Sequence, residues 1–183
     1  MTTPIFNAKK AVEATLFVAN RVENKDFHKI VKILYFADRD HLAAYGRVIT
    51  GDTYIKMENG PVPTRIYDGL KALRCENATG LLSGVSTIGS DKYHIKPLRD
   101  YNPRLISPSD VEKLSEAIAR YGGLSFNQLT QISHAYAWNA AIDDKPIALE
   151  DIMREAGIDD EGYIAHITEN INASKAMAGY GAN

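Results

Sequence analysis

One cysteine and one tryptophan among 183 residues, and no long apolar run, already restrict what this chain can be. Cys75 has no second thiol with which to form an internal disulfide or a cysteine-based zinc site, which fits a reducing compartment. No stretch approaches the ~18 consecutive apolar residues of a membrane span, and the segment Met1 to Lys10 has no apolar signal core. A cytoplasmic protein is expected. The usual catalytic signatures are missing as well. There is no Gly-x-Gly-x-x-Gly, no phosphate loop with its lysine, and no Gly-x-Ser-x-Gly around any serine. Dinucleotide, nucleotide and serine-hydrolase chemistry therefore lose their main support, and no cofactor is expected.

What is present is an ordinary globular composition, with 45% hydrophobic and 24% charged residues, which argues against disorder. A chain of this length buries about 70% of the surface exposed when unfolded, enough for a substantial core without covalent staples. The net charge of -2 conceals an asymmetry: residues 1–104 hold 16 Lys and Arg against 11 Asp and Glu, whereas residues 105–183 hold 5 against 12. An acidic C-terminal portion repels a phosphate backbone, so nucleic acid binding through it is disfavoured. Solvated helix faces account for the asymmetry, and so does an acidic surface that receives a basic protein partner.

The hydrophobic period is mostly helical. Val12, Leu16 and Ala19 mark one face of a first helix, and Phe27, Ile30, Val31, Leu34 and Ala37 one of a second. Asn24 or Asp26 can cap the second helix, and Gly46 can end it in the left-handed conformation. Residues 53–58 alternate as a half-buried strand that Asn59-Gly60-Pro61 should stop, while residues 84–96 read as a hairpin about Gly89-Ser90-Asp91. Ser107-Pro108-Ser109-Asp110 and Ser125-Phe126-Asn127-Gln128 each announce a helix start. The expected class is α+β, mostly α-helical, with a small antiparallel sheet from about 53–58 and 84–96. One domain over residues 1–173 is expected, followed by a flexible tail over 174–183.

Candidate chemistry is sparse. Asp38 and His41 lie three apart on one helix face, a spacing that can hold a metal with Asp40 nearby, yet no further ligand motif supports it. The plainer reading is an exposed, solvated helix end, or an ion pair of Asp38 with Arg39, Arg47 or Arg65. His134 and Trp138 are four apart and should stack within one helix, as a satisfied core histidine beside a tryptophan. Residues 123–139 also allow a helix-turn-helix reading, but 124–139 contain no Lys or Arg to meet DNA. Tyrosine is used 10 times, and Tyr35, Tyr45, Tyr54 and Tyr67 gather around one block. Tyr combines apolar area with a polar tip and so serves interfaces well.

That block, Lys32-Ile33-Leu34-Tyr35-Phe36-Ala37-Asp38 with Tyr45-Gly46-Arg47 through Thr53-Tyr54 and Asn59-Gly60-Pro61-Val62, resembles the Panacea domain, also called the SocA-like or GepA-type, phage-associated antitoxin family. Leu124 to His134, ending in Trp138, resembles the family's second pattern. The resemblance implies a non-enzymatic antitoxin that binds a toxin encoded by an adjacent gene. In the SocA-like branch it also implies an adaptor that delivers the toxin to a ClpXP-type protease. By the same resemblance, Tyr35, Asp38, Tyr45, Arg47, Tyr54, Tyr67, His134 and Trp138 are candidate partner-binding residues. Gly46, Gly60 and Pro61 are expected to shape turns.

Overall fold

A computed structural model of the chain describes residues 2–75 and 79–180, with side chains through residue 177. Its organising element is a helix hidden from solvent on nearly every side. Helix α1 (Ala8–Arg21) leads into this central helix α2 (Phe27–Tyr45), after which come strands β1 (Tyr54–Met57) and β2 (Gly60–Pro63) and helix α3 (Thr64–Ala72). Strands β3 (Ser86–Ile88) and β4 (Ile95–Pro97) follow. The remaining helices are α4 (Pro108–Tyr121), α5 (Phe126–Ser133), α6 (Tyr136–Ala140), α7 (Leu149–Glu155) and α8 (Glu161–Tyr180). The α+β, mostly helical class is as expected.

Helix α2 is bounded by local chemistry. The Asp26 side chain accepts from the Lys29 N–H at 2.7 Å, and Gly46 closes the helix at φ 65°, where a Cβ is disfavoured. Between these caps 13 of the 19 residues are buried. A helix enclosed all round leaves its polar side chains no route to water, so each must find a partner inside. Helices α1, α3, α4, α5 and α7 and strand β2 all pack on it. Helix α4 opens with the expected capping box of Ser107 and Asp110 with Pro108 in the first turn, and α5 with the box of Ser125 and Gln128.

Four expectations change. Residues 53–58 and 84–96 do not share a sheet: β1 pairs antiparallel with β2, and β3 separately with β4. Asn59-Gly60-Pro61 does not stop the strand but turns it, with Met57 opposite Gly60 and Tyr54 opposite Pro63. The outer edge of β1 is taken by residues 144–147, where Ile147 N–H donates to the Tyr54 carbonyl at 2.8 Å. The helix expected through Trp138 breaks at His134 into α5 and α6, because residue 134 leaves helical geometry at ψ 47° and Ala135 is extended. Two short helices thus replace the recognition helix of the helix-turn-helix alternative. Finally, α8 continues through the segment expected as a tail, reaching Tyr180, with Ile164 and Ile167 buried against the body. Residues 181–183 lie outside the described part.

Candidate functional site

The buried polar groups of α2 are internal staples. Lys29 donates through Nζ to the carbonyls of Gly122 and Leu124, each at 2.8 Å, and so closes the C-terminal end of α4. Lys32, fully enclosed, donates to the Pro61 carbonyl at 2.8 Å, and burial pushes its ammonium down to about 7. The Asp38 carboxylate accepts from the N–H groups of Ile49 and Thr50 and from the hydroxyls of Thr50 and Tyr54, over 2.6–3.2 Å. Burial raises the Asp38 carboxyl against the pull of those four donors. His41 donates from Nδ1 to the Arg47 carbonyl at 2.7 Å and presents Nε2 to Ser109 and Asp110.

The expectation of an exposed, charged helix end at Asp38 and His41 is therefore overturned. Asp38 is 2% exposed and His41 0%. The expected ion pair of Asp38 with Arg39, Arg47 or Arg65 is not formed. Arg39 pairs with Asp40 and Glu155, and Arg47 pairs with Asp110. Asp38 and His41 also serve different networks, which removes the shared geometry of the metal reading. Among the described residues no group of three or more His, Cys, Asp or Glu side chains converges.

The other sequence-predicted residues divide by location. Tyr35 is enclosed, its hydroxyl donating to Glu155 at 2.9 Å, and Tyr54 is enclosed beside Asp38. Both phenols lie well above their ordinary range, chiefly through burial. Arg47 reaches Asp110 at 3.0 Å, and the exposed Tyr45 donates to Glu112 at 3.0 Å. Burial of Asp110 acts to raise its carboxyl, but donors on His41, Lys10 and Ser107 prevail and hold it well below the usual carboxylate range.

His134 and Trp138 do stack, at 3.7 Å between centroids and 8° between planes, even though the helix between them is broken. His134 is only partly buried, however, and its Nε2 has no partner, so it is not the satisfied core histidine expected. Trp138 Nε1–H donates to the Met57 carbonyl at 2.9 Å, and Lys56 Nζ sits 4.3 Å over its ring. Gly60, at φ 100°, completes this junction: a Cβ there would lie 2.2 Å from Ser133 Oγ and 2.8 Å from Lys32 Nζ. The two sequence patterns thus touch through the β1–β2 hairpin, Trp138 meeting Met57 across 81 positions of sequence. Trp138→Phe should keep the ring stack but orphan the Met57 carbonyl, lowering stability by about 1 kcal/mol in urea denaturation followed by circular dichroism. An unchanged midpoint would show that this bond contributes nothing.

Beside the junction opens a groove of about 320 Å³ between the start of α2, α3, the β3–β4 turn and the start of α5. Its walls are Phe27, His28, Tyr67, Arg74, Tyr93 and Phe126, with Lys32 beneath. Tyr93 is 61% exposed and Phe126 48%. The His28 ring stacks on Phe126 at 3.9 Å and its Nε2 meets Thr130 Oγ1 at 3.1 Å. Burial, with the Lys32 charge adding to it, pushes His28 down to about 4, so the ring is neutral at pH 7 and acts as an apolar wall. The Arg74 guanidinium lies 4.9 Å from the ring centres of both Phe27 and Tyr93, and Lys71 Nζ 4.8 Å from that of Tyr67.

A second cleft, about 350 Å³, lies between the N-terminal segment and α8. Ile5 and Ile171 are among its lining, and its cations Lys10 and Arg47 are already engaged by Asp110. The aromatic groove is the better candidate, because exposed aromatics and arginine are the residue types enriched where proteins bind proteins. Of the candidate binding residues only Tyr67 lines it; Phe27 was expected on a core face, Tyr93 in a hairpin and Phe126 in a helix start.

A profile of the family described as antitoxin SocA-like, Panacea domain, matches residues 30–139, more than half of the chain. No curated protein and no solved structure matches it.

Proposed function

The chain belongs to the SocA-like, Panacea-domain antitoxin family, and we propose that it neutralises a toxin encoded by an adjacent gene by binding it directly in the cytoplasm. The observation that carries this reading is the family match itself, which spans the elements from α2 to α6 and so includes both motif segments and the junction between them. The placement of the motif residues supports a binding role over a catalytic one. Asp38, His41, Tyr35 and Tyr54 are committed to internal hydrogen bonds that hold the scaffold, and the exposed aromatic surface lies elsewhere. Such a division suits a rigid domain that presents a preformed surface, since little ordering is then required on association.

Affinity purification of the tagged chain from cells that co-express the neighbouring reading frame tests this. A complex of fixed stoichiometry that survives gel filtration is expected. Separate elution of the two proteins contradicts the reading.

A further inference from the structure

We propose that the groove between α2, α3 and α5 is where the toxin docks, and that it receives an apolar side chain followed closely by a carboxylate; this rests on the antitoxin reading above. Four observations converge. The walls are aromatic, and Tyr93 and Phe126 remain 61% and 48% exposed, so a partner covering them removes a large apolar area from water. The guanidinium of Arg74 is pre-oriented by the rings of Phe27 and Tyr93 and by the bond from Nε to the Lys92 carbonyl at 2.9 Å. Among the described residues no acceptor meets its two terminal nitrogens, which form the fork that binds a carboxylate bidentately.

Charge on the rim gives the groove a direction. Arg74 lies on the side of α3, where the nearby Lys71 ammonium is already paired with Asp68 at 2.8 Å and Asp91 of the β3–β4 turn is paired with His94, whereas Glu58, on the β1–β2 turn, is the acidic residue of the lining. The incoming carboxylate therefore lies toward α3 and the apolar side chain toward His28 and Phe126.

The test uses the full-length chain and the purified product of the adjacent gene in isothermal titration calorimetry. The groove variants are Arg74→Glu and Tyr93→Ser, and the control is Tyr163→Ser, on exposed α8 far along the chain. Wild type and control should bind alike; Arg74→Glu should bind about tenfold more weakly or worse, and Tyr93→Ser about fivefold more weakly. Thermal melts monitor folding, and Tyr93→Ser, altering an exposed side chain, keeps the test valid should Arg74→Glu disturb Phe27. Groove variants that bind like wild type overturn this proposal while leaving the antitoxin reading intact. A wild-type chain that neither binds nor protects overturns both. A wild-type dimer in sedimentation that Arg74→Glu disperses makes the occupant a second copy and also overturns it.

Discussion

Asp38→Ala should destabilise the fold by about 3–5 kcal/mol, because it leaves several buried neutral donors without an acceptor. The carboxylate is 2% exposed and satisfies four donors: two backbone N–H groups at Ile49 and Thr50, and the hydroxyls of Thr50 and Tyr54. Alanine leaves all four without an acceptor in a space that water does not reach, and each unpaired buried group carries its own penalty of about 1–3 kcal/mol. Relaxation recovers part of that sum, which is why the expected total stays below it. Against a typical stability of about 5–15 kcal/mol, the variant should be largely unfolded or aggregated at growth temperature. Urea denaturation at 25 °C is the check, and a loss below about 1 kcal/mol would mean that the network is open to solvent.

The second large effect is a pH dependence. Lys32 is completely enclosed and its ammonium is pushed down to about 7 by burial, whereas an unfolded lysine titrates near ~10.4. Below pH 7 both states hold the proton and the folded state bears the full cost of a buried charge. As pH rises from 7 toward 10 the folded protein releases the proton and the unfolded chain retains it, so the unfolded state binds more protons and stability increases with pH. The gain should be on the order of 2–4 kcal/mol. Lys32→Met has no such proton, so its stability should exceed that of wild type near pH 6 and the advantage should shrink or reverse by pH 9.5. The Pro61 carbonyl loses its donor in the variant, an opposing term of about 1 kcal/mol that does not vary with pH. Above pH 9.5 the raised phenols of Tyr35 and Tyr54 begin to lower stability, but they do so in both proteins and cancel in the difference. Parallel stability curves for the two proteins across pH 6–9.5 would contradict this account.

How much of this was legible in the sequence follows the range of each interaction. The caps at Asp26, Gly46, Ser107 and Ser125 were readable because each is settled within one turn by chemistry three or four residues away. The β3–β4 hairpin was readable for the same reason. Strand partnership was not: β1 finds β2 across one turn and residues 144–147 on its other edge, a choice made by tertiary packing. The burial of Asp38 and His41 was misread because the run Asp38-Arg39-Asp40-His41 resembles a solvated end. A usable signal existed, since Asp38 continues the apolar stripe of Val31 and Leu34 at helical spacing. The α8 extension was missed because small residues from Ser174 onward give little amphipathic pattern. Of the groove the sequence signalled Tyr67 alone among the candidate binding residues. Its walls come from four separated segments, around residues 27, 67–74, 93 and 126, and only the packing of α3 and α5 against α2 brings them together.

Most of the motif therefore secures a scaffold: Lys32, Asp38, Gly60 and Trp138 tie α2, the β1–β2 hairpin and the α5–α6 break into one body. Motif substitutions should act through folding, and groove substitutions through binding. A growth assay in which the neighbouring reading frame is induced with and without this chain is the most direct test of neutralisation. Induction alone should arrest growth, and co-expression of the wild-type chain should restore it. Arrest that persists despite abundant, folded chain would contradict the account.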